Sequence, residues 1–249
     1  MNTLTPITDR KQAGFTLVEL AVVMIIIGLL IGGVLKGQEL IANAQIVATA
    51  SAVKGIDAAT TTFRDTFAAM PGDMRNANTR LSNCTATPCF TPVTASYGNG
   101  RVDSVKILVA PANENLSFFP QLAAADLISG VNAVTGAAGN AWGANFPEAP
   151  IGGGFHAAYH AGGALGVVPA APGARPGHYL LLNNNPGAAP SGSTAPLSAL
   201  EAARLDRKLD DGNSRTGTVF PLESACNVAS LYPESNTGVS CHLIIRFQN

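Results

Sequence analysis

Residues 15–35 form an apolar run in which Glu19 is the only charged residue. About 20 apolar helical residues suffice to cross a bilayer core, so this stretch calls for a membrane-capable helix whatever the rest of the chain does. Glu19 conflicts with that role. A carboxylate in a membrane segment is costly unless something compensates it, and such a residue marks function. Arg10, Lys11 and the small residue Gly14 precede the run rather than follow it. A protease acting at that point would leave the hydrophobic helix on the mature protein as its new N-terminus.

The segment Lys11-Gln12-Ala13-Gly14-Phe15-Thr16-Leu17-Val18-Glu19-Leu20 resembles the processing and assembly motif of type IV pilins and the related pseudopilins. The resemblance implies cleavage between Gly14 and Phe15 by a membrane prepilin peptidase, which also methylates the new amine of Phe15. It implies that Glu19 is the acidic residue fifth in the mature chain, used in assembly. The physics is consistent with this. The freed amine is positive and Glu19 is negative, so Glu19 of one subunit can neutralise the amine of a neighbour. A buried charge without a partner costs several kcal/mol, which disfavours mis-staggered subunits. An ordinary secretory signal peptide, cut after Ala42-Asn43-Ala44, is the competing reading. It fits less well, because the apolar core exceeds the usual 7–15 residues and contains Glu19.

The helix is expected to continue to about Met70, where Pro71-Gly72 would stop it. Its first half is apolar all round. Its second half carries Ile41, Ala44, Ala48, Ala52, Ile56, Ala59, Phe63, Phe67 and Met70 at steps of three or four, a stripe that needs a sheet or helix against it. Gly28, Gly32, Gly33 and Gly37 interrupt the first half. They fit either close helix packing or the general tolerance of membrane helices for glycine. The expected plan is a leader at 1–14, a transmembrane half at 15–35, an amphipathic half at 36–70 and a globular domain at 71–249. The expected fold class is α+β, a long N-terminal helix on a C-terminal antiparallel sheet with long Gly/Ala/Pro-rich loops.

Charged residues make up 12% of the chain and the net charge is -1, about half the usual charged share. Nothing in this balance, or in the placing of aromatic residues, points to nucleic acid. Four cysteines allow three pairings. Cys84 with Cys89 and Cys226 with Cys241 are the expected local disulfides of an extracytoplasmic domain. Arg10 and Lys11 would hold the preceding end in the cytoplasm.

Within 71–249, strands are expected at Arg101–Val109, His178–Leu182 and Val239–Phe247, the last with one apolar face. Helices are expected at Pro120–Ile128 and from the capping box Ser198-x-x-Glu201 to Leu209. Residues 130–177 read as long surface loops with room for short strands. Phe63-Arg64-Asp65, Pro71-Gly72-Asp73-Met74, Asp206-Arg207-Lys208 and Asp210-Asp211-Gly212 resemble a subgroup of large pilin-like proteins.

Two groups of residues are candidates for metal. Asp206, Asp210, Asp211 and Asn213 are oxygen donors of the kind calcium favours, and some pseudopilins bind calcium near their C-terminal region. Arg204, Arg207 and Lys208 can equally neutralise them, and a solvated helix end is the reading adopted. His156 and His160, with Glu148 upstream, have the i, i+4 spacing of a zinc pair on a helix, but glycines at 152–154 and 162–163 argue for a loop. No cofactor is expected, calcium being the one candidate, and no catalytic motif is found.

The reading is therefore a non-enzymatic filament subunit, a minor or specialised pilin, of a type IV pilus or type II secretion-like system. Its partners would be copies of itself or other pilins, the prepilin peptidase, an inner-membrane assembly platform and the lipid bilayer. It would reside in the bacterial inner membrane as a precursor with a cytoplasmic N-terminus, then in a periplasmic or extracellular filament. The alternative is a single-pass anchored extracytoplasmic domain that binds a ligand or does chemistry through residues 130–195 and never polymerises.

Overall fold

A computed structural model describes residues 14, 16–90, 97–103, 114–132, 141–161, 175–187, 195–236, 238 and 240–248. In chain order the elements are helix α1 (Leu17–Phe67), helix α2 (Ala77–Arg80), helix α3 (Glu114–Ala124), strands β1 (Gly154–His160), β2 (Gly177–Asn183) and β3 (Leu197–Ser198), helix α4 (Ala199–Leu209), and strands β4 (Val219–Pro221), β5 (Ser240–Cys241) and β6 (Leu243–Gln248). The fold is α+β. The chain divides into two compact units, Met1–Asn43 and Ala44–Asn249.

In the first unit the described residues are almost entirely α1. The most apolar window of this helix has a mean hydropathy of 2.7 and buries nothing. Leu17, Val18, Met24, Ile25 and Leu29 are all exposed. Such a surface is stable only against lipid or other protein. At Gly28, Gly32, Gly33 and Gly37 an added Cβ would meet nothing within 4 Å.

In the second unit the helix has one buried stripe: Ile46, Thr49, Ala50, Val53, Ile56, Ala59, Thr60 and Phe63. This is not the expected set. Ile41, Ala44 and Ala48 are exposed, and Phe67 is half-buried. The difference comes from two threonines, which a search for apolar residues passes over. Thr49 Oγ1 donates to Gln45 O and Thr60 Oγ1 to Ile56 O, each at 2.8 Å, so both side chains can face the core with their hydroxyls satisfied. The helix ends before Pro71-Gly72, where Ala68 enters the left-handed region at φ 49.

The main sheet is antiparallel, in the order β1-β2-β6-β4. Phe155, Leu180, Leu182, Val219, Leu243 and Ile245 join the α1 stripe, with Phe118, Phe119 and Leu122 of α3, in one core. Each fully buried large side chain of this kind contributes roughly 1.5–3 kcal/mol. The other face is buried too, through Ala158, Leu181, Phe220 and Ile244. The more apolar face expected of Val239–Phe247 does lie in the core with the α1 stripe, through Cys241, Leu243 and Ile245, but the opposite face is covered as well and the run is split. The backbone N–H of His242 turns to Glu223 Oε2 at 2.8 Å, which parts β5, paired with β3, from β6. Val239 lies outside the described residues.

Two further expectations change. The helix expected at Pro120–Ile128 is α3, which begins at Glu114 and holds Pro120 in its interior. Burial of Phe118 and Phe119 outweighs the single backbone donor that proline lacks. Asp126 ends α3 with φ 58, and Leu127 N–H reaches back to Leu122 O at 3.0 Å, a Schellman closure made without glycine. Of the expected strand Arg101–Val109, residues 101–103 are not strand and 104–109 lie outside the described residues. Within 130–177, where short strands had room, the structure places β1. The capping box is present as expected. Ser198 Oγ accepts the Glu201 N–H at 3.3 Å and the Glu201 carboxylate accepts the Ser198 N–H at 2.9 Å. Cys84–Cys89 and Cys226–Cys241 are disulfides.

Candidate functional site

Glu19 sits in the first turn of α1. Its Oε2 accepts the Thr16 backbone N–H at 3.0 Å and the Thr16 hydroxyl at 2.8 Å, while Glu19 N–H donates to Thr16 Oγ1 at 3.3 Å. Leu20 N–H bonds Thr16 O at 3.3 Å as the first helical bond. Thr16-Leu17-Val18-Glu19 is thus a reciprocal capping box. Sequence reading took Glu19 as a charge awaiting a partner and missed this second role, although the Thr-x-x-Glu signal was present. Gly14 is exposed; Phe15 lies outside the described residues. Chemistry nonetheless bears on what a cut between them would do. The new amine would be the nitrogen of Phe15, and the Phe15–Thr16 amide would survive. The cap would stay intact beside a new positive charge, leaving further lone pairs of the carboxylate to accept from a second donor.

Further along α1, in the second unit, Val47, Ser51, Gly55, Ala58 and Thr62 recur at steps of three or four and are exposed. They lie opposite the buried stripe on a 3.6-residue period. The small side chains among them, Ser51, Gly55, Ala58 and Thr62, allow another helix to approach closely.

The four oxygen donors of the C-terminal region do not act alike. Carboxylate oxygens of Asp206, Asp210 and Asp211 lie within 4.8 Å of one another, but each is engaged. Asp206 accepts from Tyr232 OH at 2.9 Å and from Gly212 N–H at 3.3 Å. Asp210 accepts from both the backbone N–H and the hydroxyl of Thr218. Asp211 accepts from Asn213 N–H at 2.8 Å and from Thr216 OH. Asn213 Oδ1 accepts the Arg215 N–H at 3.0 Å. These bonds tie residues 210–218 and Tyr232 to the end of α4. Burial, aided by the neighbouring carboxylates of Asp211 and Asp210, pushes Asp206 up to about 7.

His156 and His160 are on β1, not a helix. Four residues of extended chain separate them by about 13 Å, too far for one metal ion. His156 packs against Phe146 and Trp142, with ring centroids 4.3 and 5.1 Å away, and its burial lowers its pKa to about 4. His160 faces the Tyr179 ring. Glu148 is exposed and pairs through its backbone with Gly154. This group is a packed strand and its covering loop.

Residues 9–35 match the family model described as the prokaryotic N-terminal methylation motif. With the long apolar helix that follows, this fits type IV pilin-like proteins, pseudopilins included. No curated protein and no solved structure matches the chain.

Proposed function

We propose that the chain is a structural subunit of a type IV pilus or type II secretion-like filament, and a minor or specialised one. Residues 1–14 are its leader, cut by a prepilin peptidase after Gly14. Phe15 is the methylated new N-terminus. Glu19 receives the amine of an adjoining subunit, another copy or a different pilin. The precursor waits in the bacterial inner membrane with its N-terminus in the cytoplasm and passes through an assembly platform into a periplasmic or extracellular filament.

The observation that carries this reading is the methylation motif at residues 9–35, which runs into the first part of α1, where the most apolar window of the helix is wholly exposed. The outer face at Val47, Ser51, Gly55 and Ala58 supports it, since a helix with two packing faces suits a bundle of subunits. The capping box decides how Glu19 must be tested. Glu19→Ala removes charge and cap together. Glu19→Gln keeps the box, because glutamine serves at the same position, and removes only the charge. Both variants are expected to be cleaved, with intact mass giving a methylated Phe15 start, and neither is expected to enter filaments. Normal assembly of Glu19→Gln would refute the charge role and leave Glu19 as a cap. A mature chain starting at Met1 or Gln45 would refute the filament reading itself.

A further inference from the structure

Two cavities of about 460 and 320 Å³ share Ala68, Ala69, Met70 and Gly100 and so form one groove where the chain turns after α1. Arg64 and Asp65 on the wall of the larger one balance in formal charge. The smaller one is lined by Arg75 and Arg80 against a single carboxylate, Asp73. That carboxylate is already committed. It accepts the N–H groups of Gly98, Asn99 and Gly100, the last two at 3.3 and 2.6 Å.

Both guanidinium groups are held in place. Arg75 Nε donates to Tyr97 O at 2.6 Å. Arg75 also lies against the Cα of Gly98, where a side chain would overlap it, and Gly98 has φ +85. Arg80 donates to Phe67 O and stands over the Phe67 ring, 5.9 Å from its centroid. Among the described residues neither is within ion-pair distance of a carboxylate. A guanidinium has five N–H donors in a fixed fork, and each of these two directs one of them to a backbone carbonyl. Two positioned forks on one concave wall match the oxygens of a carboxylate or phosphate. Both residues are exposed, and the backbone contact each makes reduces the side-chain freedom lost on binding.

We propose that Arg75 and Arg80 form a receptor for an oxyanion in this groove. The chemistry is shared by two sources: a free inorganic anion, and an acidic side chain presented by another protein chain. The site does not depend on the filament reading, so either can fail alone.

The test is calorimetric titration of the full chain in detergent micelles at constant ionic strength. One arm uses inorganic phosphate and the other a short glutamate-rich peptide. Saturable binding of either probe is expected. Losing charge-assisted bonds in Arg75→Gln/Arg80→Gln should weaken it about tenfold or more. The Arg75→Lys/Arg80→Lys variant keeps the charge but not the forks and should fall between, which also guards against a misfolded glutamine variant. Binding of phosphate alone identifies a free anion, and binding of the peptide alone identifies a protein carboxylate. Equal binding by wild type and both variants would overturn the proposal, and so would a wild-type chain that binds neither probe.

Discussion

The two parts of α1 obey different rules although the helix is continuous. From Leu17 to Asn43 its large side chains are exposed on every side. From Ala44 to Phe67 one stripe is buried and the opposite face carries Ser51, Gly55, Ala58 and Thr62, small residues, beside Val47. In the first part the apolar residues contribute nothing to the stability of the chain taken alone; their benefit appears only against lipid or a neighbour. In the second part burial holds the domain together. The same residue type should therefore have opposite consequences on the two sides of residue 44.

Cutting a large side chain gives the biggest expected contrast. Phe63 is fully buried, with its ring 4.7 Å from that of Phe67. Phe63→Ala should cost about 3–5 kcal/mol, read as a lower urea midpoint for the domain, while leader cleavage is unaffected. Val23 is 52% exposed, and Val23→Ala should shift the same midpoint by no more than about 0.5 kcal/mol. Equal losses from both would erase the distinction.

The domain that packs on the second part of α1 should show a pH dependence of definite sign. Burial holds His156 at about 4, and burial with the nearby charges of Arg64 and Arg101 does the same for His178. Unfolded histidines bind protons near 6.5, so the stability these two provide is complete above that pH and is lost as pH falls from 6.5 toward 4. Asp206, raised to about 7, acts the other way. Its contribution is complete below its unfolded value near 3.8 and is lost as pH rises through 7. Two groups against one leave a net acid lability of at most about 1.4 kcal/mol per pH unit between 4.5 and 6. Asp206→Asn removes the opposing group, so its urea midpoint should fall more steeply over that window than that of wild type. A shallower slope in the variant would contradict the assignment.

These contrasts also explain what could be read from the residues and what could not. The membrane run, the Gly14–Glu19 motif, the box at Ser198 and Glu201 and the strand at His178–Leu182 were legible because each is a local pattern. The buried stripe was right at Ile56, Ala59, Phe63 and Met70 but misplaced before Ala52, because Thr49 and Thr60 face inward with their hydroxyls bonded to the preceding turn, which hydropathy does not register. β1 could be given no bounds, because glycines precede it and its histidines suggested another spacing. Glu19 was read correctly as exceptional but incompletely, since attention to its charge hid the cap it forms with Thr16. The pairing of Arg75 with Arg80 depends on where the chain turns at Ala68, and no run of neighbouring residues announces that.

Glycine offers the smallest and cleanest comparison. Gly37 and Gly55 are both inside α1, and at both an added Cβ meets nothing within 4 Å. Alanine is favoured over glycine in a helix interior by roughly 1 kcal/mol. At Gly55 the helix folds with the domain, so Gly55→Ala should raise the urea midpoint by up to that amount. At Gly37 the flanking helix has no packed core to stabilise, so Gly37→Ala should leave the domain's midpoint unchanged. Its effect, if neighbouring helices approach closely there, falls on filament yield instead. Electron microscopy of sheared filaments together with urea melts of both variants separates the two. Loss of yield at Gly37 with an unchanged melt assigns that glycine to packing between subunits; unchanged yield and melt assign it to the ordinary tolerance of a lipid-facing helix.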